Sequence, residues 1–285
     1  MEFLSLSDLK EVLKVKQERK DLAKCIAGGT NFVPDMRSRE VSFEQIIDLT
    51  ALEELNHIKE ENGTLSIGAL TSISDIASSP VIGKLSPVLS RAAGQLGNPL
   101  TRNRATIGGN LANASPAADM APPLLALDAE IHMERWEQEE RKIPIDQFFL
   151  GPNKTMLEDD EIITRITFTS PKNPTKGSHF KLGLRNSMAI SVVSIAVMLE
   201  MNGSECRKAR VGLGAVAPKP VRAYRAEKIL EGKELDETLI EQCAAIVKED
   251  ISPISDIRAS AEYRKLVAST LLKRTLREAL EGREK

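Results

Sequence analysis

Two short loops with paired glycines constrain the fold and function of this chain more than any other feature. The first, residues 27–31 with the sequence AGGTN, directly follows the apolar Cys25 and Ile26. The second opens residues 106–126, TIGGNLANASPAADMAPPLLA, where glycines, asparagines and an aspartate precede an apolar, helix-like run. Paired glycines let a backbone approach a ligand closely and point its N–H groups at that ligand. Two such loops in one chain predict a clamp around one diphosphate.

Neither loop has the pattern of the common nucleotide-binding motifs. A dinucleotide fingerprint requires G-x-G-x-x-G, and each glycine pair lacks the further glycine. A P-loop requires Gly-Lys-Ser or Gly-Lys-Thr, which both loops also lack. We therefore expect backbone amides at the glycines and the hydroxyl of Thr30 to be the donors to the phosphates.

Charge and cysteine usage exclude two classes of partner. The 285 residues carry 39 Lys and Arg against 41 Asp and Glu, a net charge of −2, so no overall basic field attracts nucleic acid. Cys25, Cys206 and Cys243 lie far apart without a Cys-x-x-Cys pair, a pattern that fits neither a zinc site nor an iron–sulfur motif. His57 and His132 have no second ligand at metal-binding spacing. We predict buried free thiols and no metal site.

The sequence contains no pattern typical of secretion or membrane insertion. It starts at Met1-Glu2-Phe3 without a basic and then apolar leader. No uncharged run reaches the roughly 20 residues that a membrane span requires. We therefore expect a soluble, cytoplasmic protein.

The hydrophobic pattern predicts helices and strands that mix without regular alternation. Residues 55–68 are typical of a hairpin around an Asn-Gly turn, and residues 86–96 of a helix. Residues 161–169 alternate as a strand, and residues 170–174 have the composition of a domain linker. A long β-meander follows and then gives way to helices at residues 222–230, 236–248 and 261–280. This order favours an α+β fold over a doubly wound sheet.

Four motifs occur in the order and spacing of a known protein family. They are AGGTN at 27–31, RN at 102–103 with TIGGN at 106–110, ASP at 114–116 with Asp119, and FFLG at 148–151 with Thr155 and Leu157. In these motifs the chain resembles the FAD-binding subunits of molybdenum hydroxylases, the medium subunits of carbon monoxide dehydrogenase and bacterial xanthine dehydrogenase. The resemblance covers nearly the whole chain.

The resemblance implies a fold and a cofactor. The fold is the vanillyl-alcohol-oxidase/PCMH type, α+β in class, with FAD-binding subdomains at residues 1–55 and 56–172. A C-terminal α+β domain of the carbon monoxide dehydrogenase flavoprotein type, a β-meander followed by helices, is expected at residues 176–285. FAD is expected to lie between the two subdomains.

The family's cofactor contacts carry over onto three groups of residues. The first loop and its flanks supply Ala27, Gly28, Gly29, Thr30, Asn31 and Phe32. The second cluster supplies Thr106, Gly108, Gly109, Asn110, Ser115 and Asp119. Further flavin or adenine contacts are expected at Leu96, Ile163 and Lys181. The resemblance implies neither a catalytic side chain nor a metal ligand in this chain.

The sequence leaves alternatives open for Asp119 and Lys181. An aspartate repels a phosphate, so an ionised Asp119 suits ribityl or ribose hydroxyls, or it caps the helix that follows. Lys181 either places a positive charge beside the flavin or is a surface lysine on a strand. The chain also departs from many relatives, which carry acidic residues where Asn31 and the pair Met188-Ala189 stand here.

The function that the resemblance implies is electron transfer. As an FAD-dependent oxidoreductase subunit, the chain would take electrons from a partner iron–sulfur small subunit and pass them to NAD⁺ or another acceptor. The complex would also contain a molybdopterin large subunit. Two alternatives are a stand-alone flavin oxidoreductase on the same fold and a non-catalytic scaffold subunit.

Overall fold

Three β-sheets organise the part of the protein that the structure describes. The structure is a computed structural model and describes residues 1–38, 43–170 and 174–282. Each sheet has its own neighbouring apolar core, and the sheets follow one another along the chain.

The first sheet is parallel and ends at the first glycine loop. Its strands are β1 (Glu2–Ser5), β2 (Ala23–Ile26) and β3 (Gln45–Asp48), in the order β1-β3-β2. Helix α1 (Leu9–Arg19) precedes β2, and α2 (Phe32–Ser38) follows the loop. Val12 and Leu13 of α1 share a core with Ile47 of β3. Because β2 ends at Ile26, residues 27–31 leave the sheet at a strand end.

The second sheet is antiparallel, and a group of helices packs against it. Its strands are β4 (Ile58–Glu61), β5 (Thr64–Gly68), β6 (Glu130–Glu134), β7 (Arg141–Pro144) and β10 (Ile162–Thr169), in the order β4-β5-β10-β6-β7. A hairpin of β8 (Phe149–Gly151) and β9 (Lys154–Thr155) follows the short helix α9 (Ile145–Phe148). The helices between β5 and β6 are α3 (Ile73–Ser78), α4 (Pro80–Leu85), α5 (Pro87–Gln95), α6 (Pro99–Arg104), α7 (Ile107–Asn113) and α8 (Ala121–Ala126). Leu65 and Ile166 of the sheet share one core with Leu89 and Leu124 of these helices.

The third sheet is antiparallel and covered on both faces. Its strands are β11 (Thr175–Gly183), β12 (Ser191–Asn202), β13 (Glu205–Gly214) and β14 (Val221–Arg222), and β15 (Lys233–Glu234) pairs with the start of β13. Helices α10 (Tyr224–Leu230), α11 (Glu237–Ile246) and α12 (Ala261–Glu281) lie on one side, whereas α5 and α8 lie on the other. Ile195 of β12 packs in the core with α12, and Ala196 packs in the core with α8. Double burial explains why β12 is almost entirely apolar.

The structure confirms the α+β class and most of the predicted elements. The hairpin turns at Asn62 and Gly63, both with positive φ, and the meander and its following helices lie where the pattern predicts them. Strand β1 was not predicted, so the parallel character of the first sheet was missed. The predicted linker falls in part on residues 171–173, which lie outside the described residues. β11 begins at Thr175, close to the expected start of the C-terminal domain; the domain boundaries stay a prediction.

Candidate cofactor site

A cavity of about 560 Å³ lies between the two glycine loops and the beginning of β12. Most of the site residues expected from the sequence line it. These are Ala27, Gly28, Gly29, Thr30, Asn31, Phe32, Leu96, Thr106, Gly109, Asn110, Ser115 and Asp119. The fold therefore brings both loops, which the sequence separates widely, to one cavity.

A second cavity of about 550 Å³ adjoins the first. The two cavities share the lining residues Cys25, Ala27, Gly109 and Ala112, so they meet at the glycine loops. Two further expected site residues, Gly108 and Ile163, line only the second cavity, together with the apolar Leu49, Leu70, Leu157 and Ile162. The two cavities together form a groove with the loops at its middle; we call it the loop groove.

The four glycines of the two loops are needed at their positions for different structural reasons. A Cβ added at Gly28 would lie well under 3.0 Å from the carbonyl oxygen of Arg104, and one at Gly108 would lie 2.7 Å from the Cβ of Ala69. These two glycines allow close packing of the backbone. Gly29 has a φ of +71°, which L side chains rarely adopt. At Gly109, the hydroxyl of Thr106 at 2.9 Å is the only described atom close to an added Cβ, so its cavity side stays open.

The backbone amides of the second loop bind other protein groups, which corrects the expectation from the sequence. Ile107 N donates to Thr71 O at 3.1 Å, and Gly108 N donates to Ala69 O at 2.9 Å. The amide of Gly109 donates to the hydroxyl of Thr106 at 3.1 Å, because Thr106 caps α7. The prediction that the amides of Gly108 and Gly109 serve as phosphate donors is therefore wrong.

The first loop differs from the second, because no backbone amide of residues 29–31 donates a hydrogen bond to the described part of the chain. The hydrogen bonds of α2 begin with Val33 N to Gly29 O and Asp35 N to Asn31 O, each at 3.0 Å. The first amides of a helix have no acceptor four residues back within the helix. The amides of residues 29–31 and the hydroxyl of Thr30 are therefore candidate neutral donors at the middle of the groove.

Asn110 contributes a side chain rather than an amide. Its backbone N–H donates to Thr106 O at 3.0 Å. Its side-chain oxygen is buried and has no hydrogen-bond partner among the described residues. A buried polar atom of this kind requires a partner from a ligand or from water. Because Asn110 lines the loop groove, a cofactor with hydroxyl groups is suited to supply that partner.

Asp119 lines the first cavity and forms a buried ion pair with Lys181, which itself lines neither cavity. The ammonium of Lys181 donates to Oδ2 of Asp119 at 2.6 Å, and the hydroxyl of Ser191 donates to Oδ1 at 2.8 Å. Burial raises the pKa of Asp119, while Lys181 and Ser191 act against that rise. Because Met120 is the N-cap residue of α8, the interpretation of Asp119 as a helix cap is wrong. The Lys181 side chain is 8% exposed, so its interpretation as a surface lysine is also wrong.

The loop between β11 and β12 lines the first cavity and was not among the expected site residues. Met188, Ala189 and Ile190 line the first cavity. Met188 N donates to Gly97 O at 3.3 Å, and the side-chain amide of Asn98 donates to the sulfur of Met188 at 3.2 Å. Such contacts between distant segments have no local sequence signal. Only the departure from the family pattern at Met188 and Ala189 drew attention to this loop.

Two other potentially reactive side chains, Cys25 and His132, are either buried or bound to other protein groups. Cys25 lines both cavities, and burial raises the pKa of its thiol to about 11, so the thiol stays protonated at neutral pH. His132 lies by a separate cavity of about 1120 Å³ that neither glycine loop lines. Its Nδ1 lies 2.9 Å from Glu140 and its Nε2 lies 2.8 Å from Thr167.

Over residues 1–38, 43–170 and 174–282, no group of three His, Cys, Asp or Glu side chains is placed to hold a metal ion. No helix in those ranges is long and apolar enough to cross a membrane.

Comparison with known proteins identifies the class and then the family. Residues 1–171 match the family described as FAD binding domain in molybdopterin dehydrogenase, which makes this chain an FAD-binding oxidoreductase subunit. Residues 178–279 match the CO dehydrogenase flavoprotein C-terminal domain. The chain belongs to the FAD-binding medium subunits of the molybdenum hydroxylase family.

Individual relatives support the same assignment over nearly the full length. The putative xanthine dehydrogenase FAD-binding subunit of Escherichia coli strain K12 is 34% identical over 262 residues, covering 90% of this chain and 89% of the relative. The glyceraldehyde dehydrogenase medium chain of Sulfolobus acidocaldarius is 32% identical, with 97% of each chain covered. The solved carbon monoxide dehydrogenase of Hydrogenophaga pseudoflava superposes with a TM-score of 0.95 at 31% identity, covering 99% of this chain and 97% of that chain. The resemblance read from the motifs is confirmed.

Proposed function

We propose that this chain is the electron-transfer subunit of a molybdenum hydroxylase complex. It receives electrons from a partner iron–sulfur small subunit at its bound FAD and passes them to NAD⁺ or another acceptor. The substrate is oxidised on a molybdopterin large subunit. The names of the relatives support this reading, because a medium chain of carbon monoxide dehydrogenase or glyceraldehyde dehydrogenase is one chain among several.

The form of the loop groove is the observation that carries the proposal. FAD consists of a flavin half and an adenosine half joined by a pyrophosphate. The groove likewise consists of two cavities, about 560 and 550 Å³, that meet at the glycine loops. Each cavity has the size range of a cofactor or ligand pocket. The residues at the middle and at both ends therefore fit FAD.

The residues of the groove have distinct proposed roles. The first-loop amides, the hydroxyl of Thr30 and the side chain of Asn31 hold the pyrophosphate, while Asn110 meets a cofactor hydroxyl. Leu96 and the pair of Asp119 and Lys181 lie at the flavin end, where the fixed positive charge of Lys181 is neutralised by Asp119. Gly108 and Ile163 belong to the other cavity, at the adenosine end.

The protein supplies binding, orientation and electrostatics, and FAD, when bound, supplies the one- and two-electron chemistry. No side chain of the groove is required as a nucleophile or as a general acid.

Purification of the full chain from its native cells separates this proposal from its alternatives. A tagged chain should be yellow, release FAD on denaturation, and co-purify with a cysteine-rich iron–sulfur chain and a large molybdopterin chain. Purification of the FAD-containing chain alone would favour a stand-alone flavin oxidoreductase. Co-purification of the partners without any flavin would favour a scaffold and contradict the proposal.

A further inference from the structure

Helix α8 lies unusually close to strand β13 because two glycines stand at the contact. A Cβ added at Gly212 would lie well under 3.0 Å from the carbonyl oxygen of Pro122 and 3.1 Å from the Cβ of Leu125. A Cβ added at Gly214 would lie 2.5 Å from the hydroxyl of Ser194 and 2.9 Å from Cγ of Pro122. Any side chain at either position would therefore push the helix and the sheet apart.

The position of α8 fixes the position of Asp119. Asp119 lies just before α8, and both of its carboxylate oxygens bind residues of the third sheet, Lys181 on β11 and Ser191 on β12. Just beyond the other end of the helix, Asp128 accepts hydrogen bonds from Arg210 of β13 and Arg222 of β14. Every residue of α8 is buried. The helix is thus held on the sheet at both ends, and its distance from β13 sets the distance between Asp119 and its partners.

We infer that Gly212 and Gly214 are positioning residues for the flavin end of the loop groove. They line neither of its cavities. By allowing α8 to lie directly on β13, they place Asp119 where Lys181 and Ser191 can both reach it. This inference rests on the proposed function, because it assumes that the Asp119 end of the groove holds part of FAD.

The two glycines differ in what a methyl group would meet. At Gly212 the obstacle is the backbone of Pro122, which no rotamer change can move. Restoring an ordinary contact of 3.4 Å there requires a shift of roughly 1 Å. At Gly214 the obstacles are side-chain atoms of Ser194 and Pro122. Truncation of both Ser194 and Pro122 therefore relieves the contacts at Gly214, whereas side-chain truncation cannot relieve the contact at Gly212.

The first test measures FAD binding to the full chain with Gly212→Ala. We expect the Kd for FAD to rise by about tenfold to a hundredfold, the scale of losing one hydrogen bond to a charged group. Gly83→Ala is the matched control. Gly83 lies in α4, and no atom of the described residues comes within 4 Å of its added Cβ, so this variant should keep the original Kd. An unchanged Kd in folded Gly212→Ala would overturn the inference.

The second test asks whether Gly212 acts through Asp119. The reference variant is Asp119→Ala/Lys181→Met, which removes the ion pair without leaving one charge buried and unpaired. Adding Gly212→Ala to it should change the Kd by less than about threefold, because coupled sites are not additive. A purely structural effect of Gly212 would lower affinity by the same factor in both backgrounds and refute positioning. If the reference variant itself binds FAD normally, the proposed flavin site is wrong instead.

The third test uses Gly214 and holds even if Gly212→Ala does not fold. Gly214→Ala should raise the Kd for FAD, and adding Ser194→Ala together with Pro122→Ala, which removes both obstructing groups, should recover most of the lost affinity. The Ser194 hydroxyl is buried and has no hydrogen-bond partner in the described part of the chain, so its removal breaks no such bond there. Failure of these two substitutions to restore binding would contradict the proposed contact.

Discussion

At the scale of single residues, the buried face of β11 carries two polar side chains, of which one has a partner and the other has none among the described residues. Lys181 donates a hydrogen bond to Asp119 at 2.6 Å. His179, two positions earlier, is 1% exposed, and neither ring nitrogen has a hydrogen-bond partner among the described residues. Burial, assisted by the positive charges of Lys181 and Arg91, lowers the pKa of His179 to about 3. The imidazole is therefore neutral in the folded protein at every physiological pH.

The pKa of His179 differs between the folded and the unfolded chain, and this difference makes the free energy of unfolding of the apoprotein depend on pH. A histidine in the unfolded chain has a pKa of about 6.5. Between that value and about 3 the unfolded state binds a proton that the folded state excludes. The free energy of unfolding should therefore fall as the pH decreases from about 6.5, by up to about 1.4 kcal/mol per pH unit from this residue.

Urea unfolding of wild type and His179→Leu between pH 7 and pH 4.5 isolates that contribution. Carboxylates titrate in both proteins, so the difference between the two curves reports His179. The wild type should lose stability relative to the variant as the pH falls. Parallel curves would mean that His179 is not held neutral.

The sequence identified Asp119 and Lys181 as site residues but not as partners. Their charges make either residue a candidate on its own, and the family resemblance supports both. The salt bridge joins positions 62 residues apart, and Ser191 lies a further ten residues along. Nothing in local pattern or spacing encodes such a contact, because the pairing of α8 with the third sheet creates it. Ser191 was therefore missed altogether.

At the scale of elements, the two glycine loops look alike in sequence but serve the groove differently. The second loop is the start of α7, and its amides bind Thr71, Ala69 and Thr106. The first loop leaves β2, and the amides of its residues 29–31 donate to no group among the described residues. The glycine pair predicts close approach of the backbone in both cases. Which groups the amides bind depends on the neighbouring strand, which a loop sequence does not specify.

Glycine substitutions in the two loops should therefore have different consequences. Gly109→Val should place bulk on the open side of the groove, so the chain should fold but retain little FAD. Gly28→Ala should destabilise the chain by about 1–3 kcal/mol or more, because its methyl group meets the backbone of Arg104. Urea unfolding and the FAD content per chain distinguish the two effects. Normal FAD content in a soluble, folded Gly109→Val protein would remove Gly109 from the site.

Element prediction succeeded where a strong periodic pattern exists and failed for a short exposed strand. The Asn62-Gly63 hairpin and α12 follow from turn chemistry and from the 3.6-residue period. β1 spans only Glu2–Ser5, and most of its side chains are exposed, so it has no apolar alternation to detect. Its strand character comes from parallel pairing with β3, a contact across more than 40 residues.

At the scale of the whole molecule, the third sheet completes a site that the first two sheets begin. The first sheet supplies the loop at 27–31, and the helices beside the second sheet supply Thr106 to Asp119. The third sheet supplies Lys181 and Ser191, the partners of Asp119, and the loop at Met188 that lines the first cavity. Cofactor retention should therefore depend on the contacts of α8 with β13 as well as on the loops that line the groove.

The central claim is that this chain binds FAD and passes electrons that a partner subunit delivers. The most direct measurement follows the visible flavin absorbance of the FAD-loaded full chain under anaerobic conditions. A purine, an aldehyde and carbon monoxide are each added, first to the isolated chain and then to the chain purified with its partner subunits. We predict that dithionite bleaches the isolated chain and that none of the three substrates does so. We also predict that, if one of the three is the substrate of the complex, it bleaches the flavin only when the partners are present. Bleaching of the isolated chain by any of the three substrates would contradict the account.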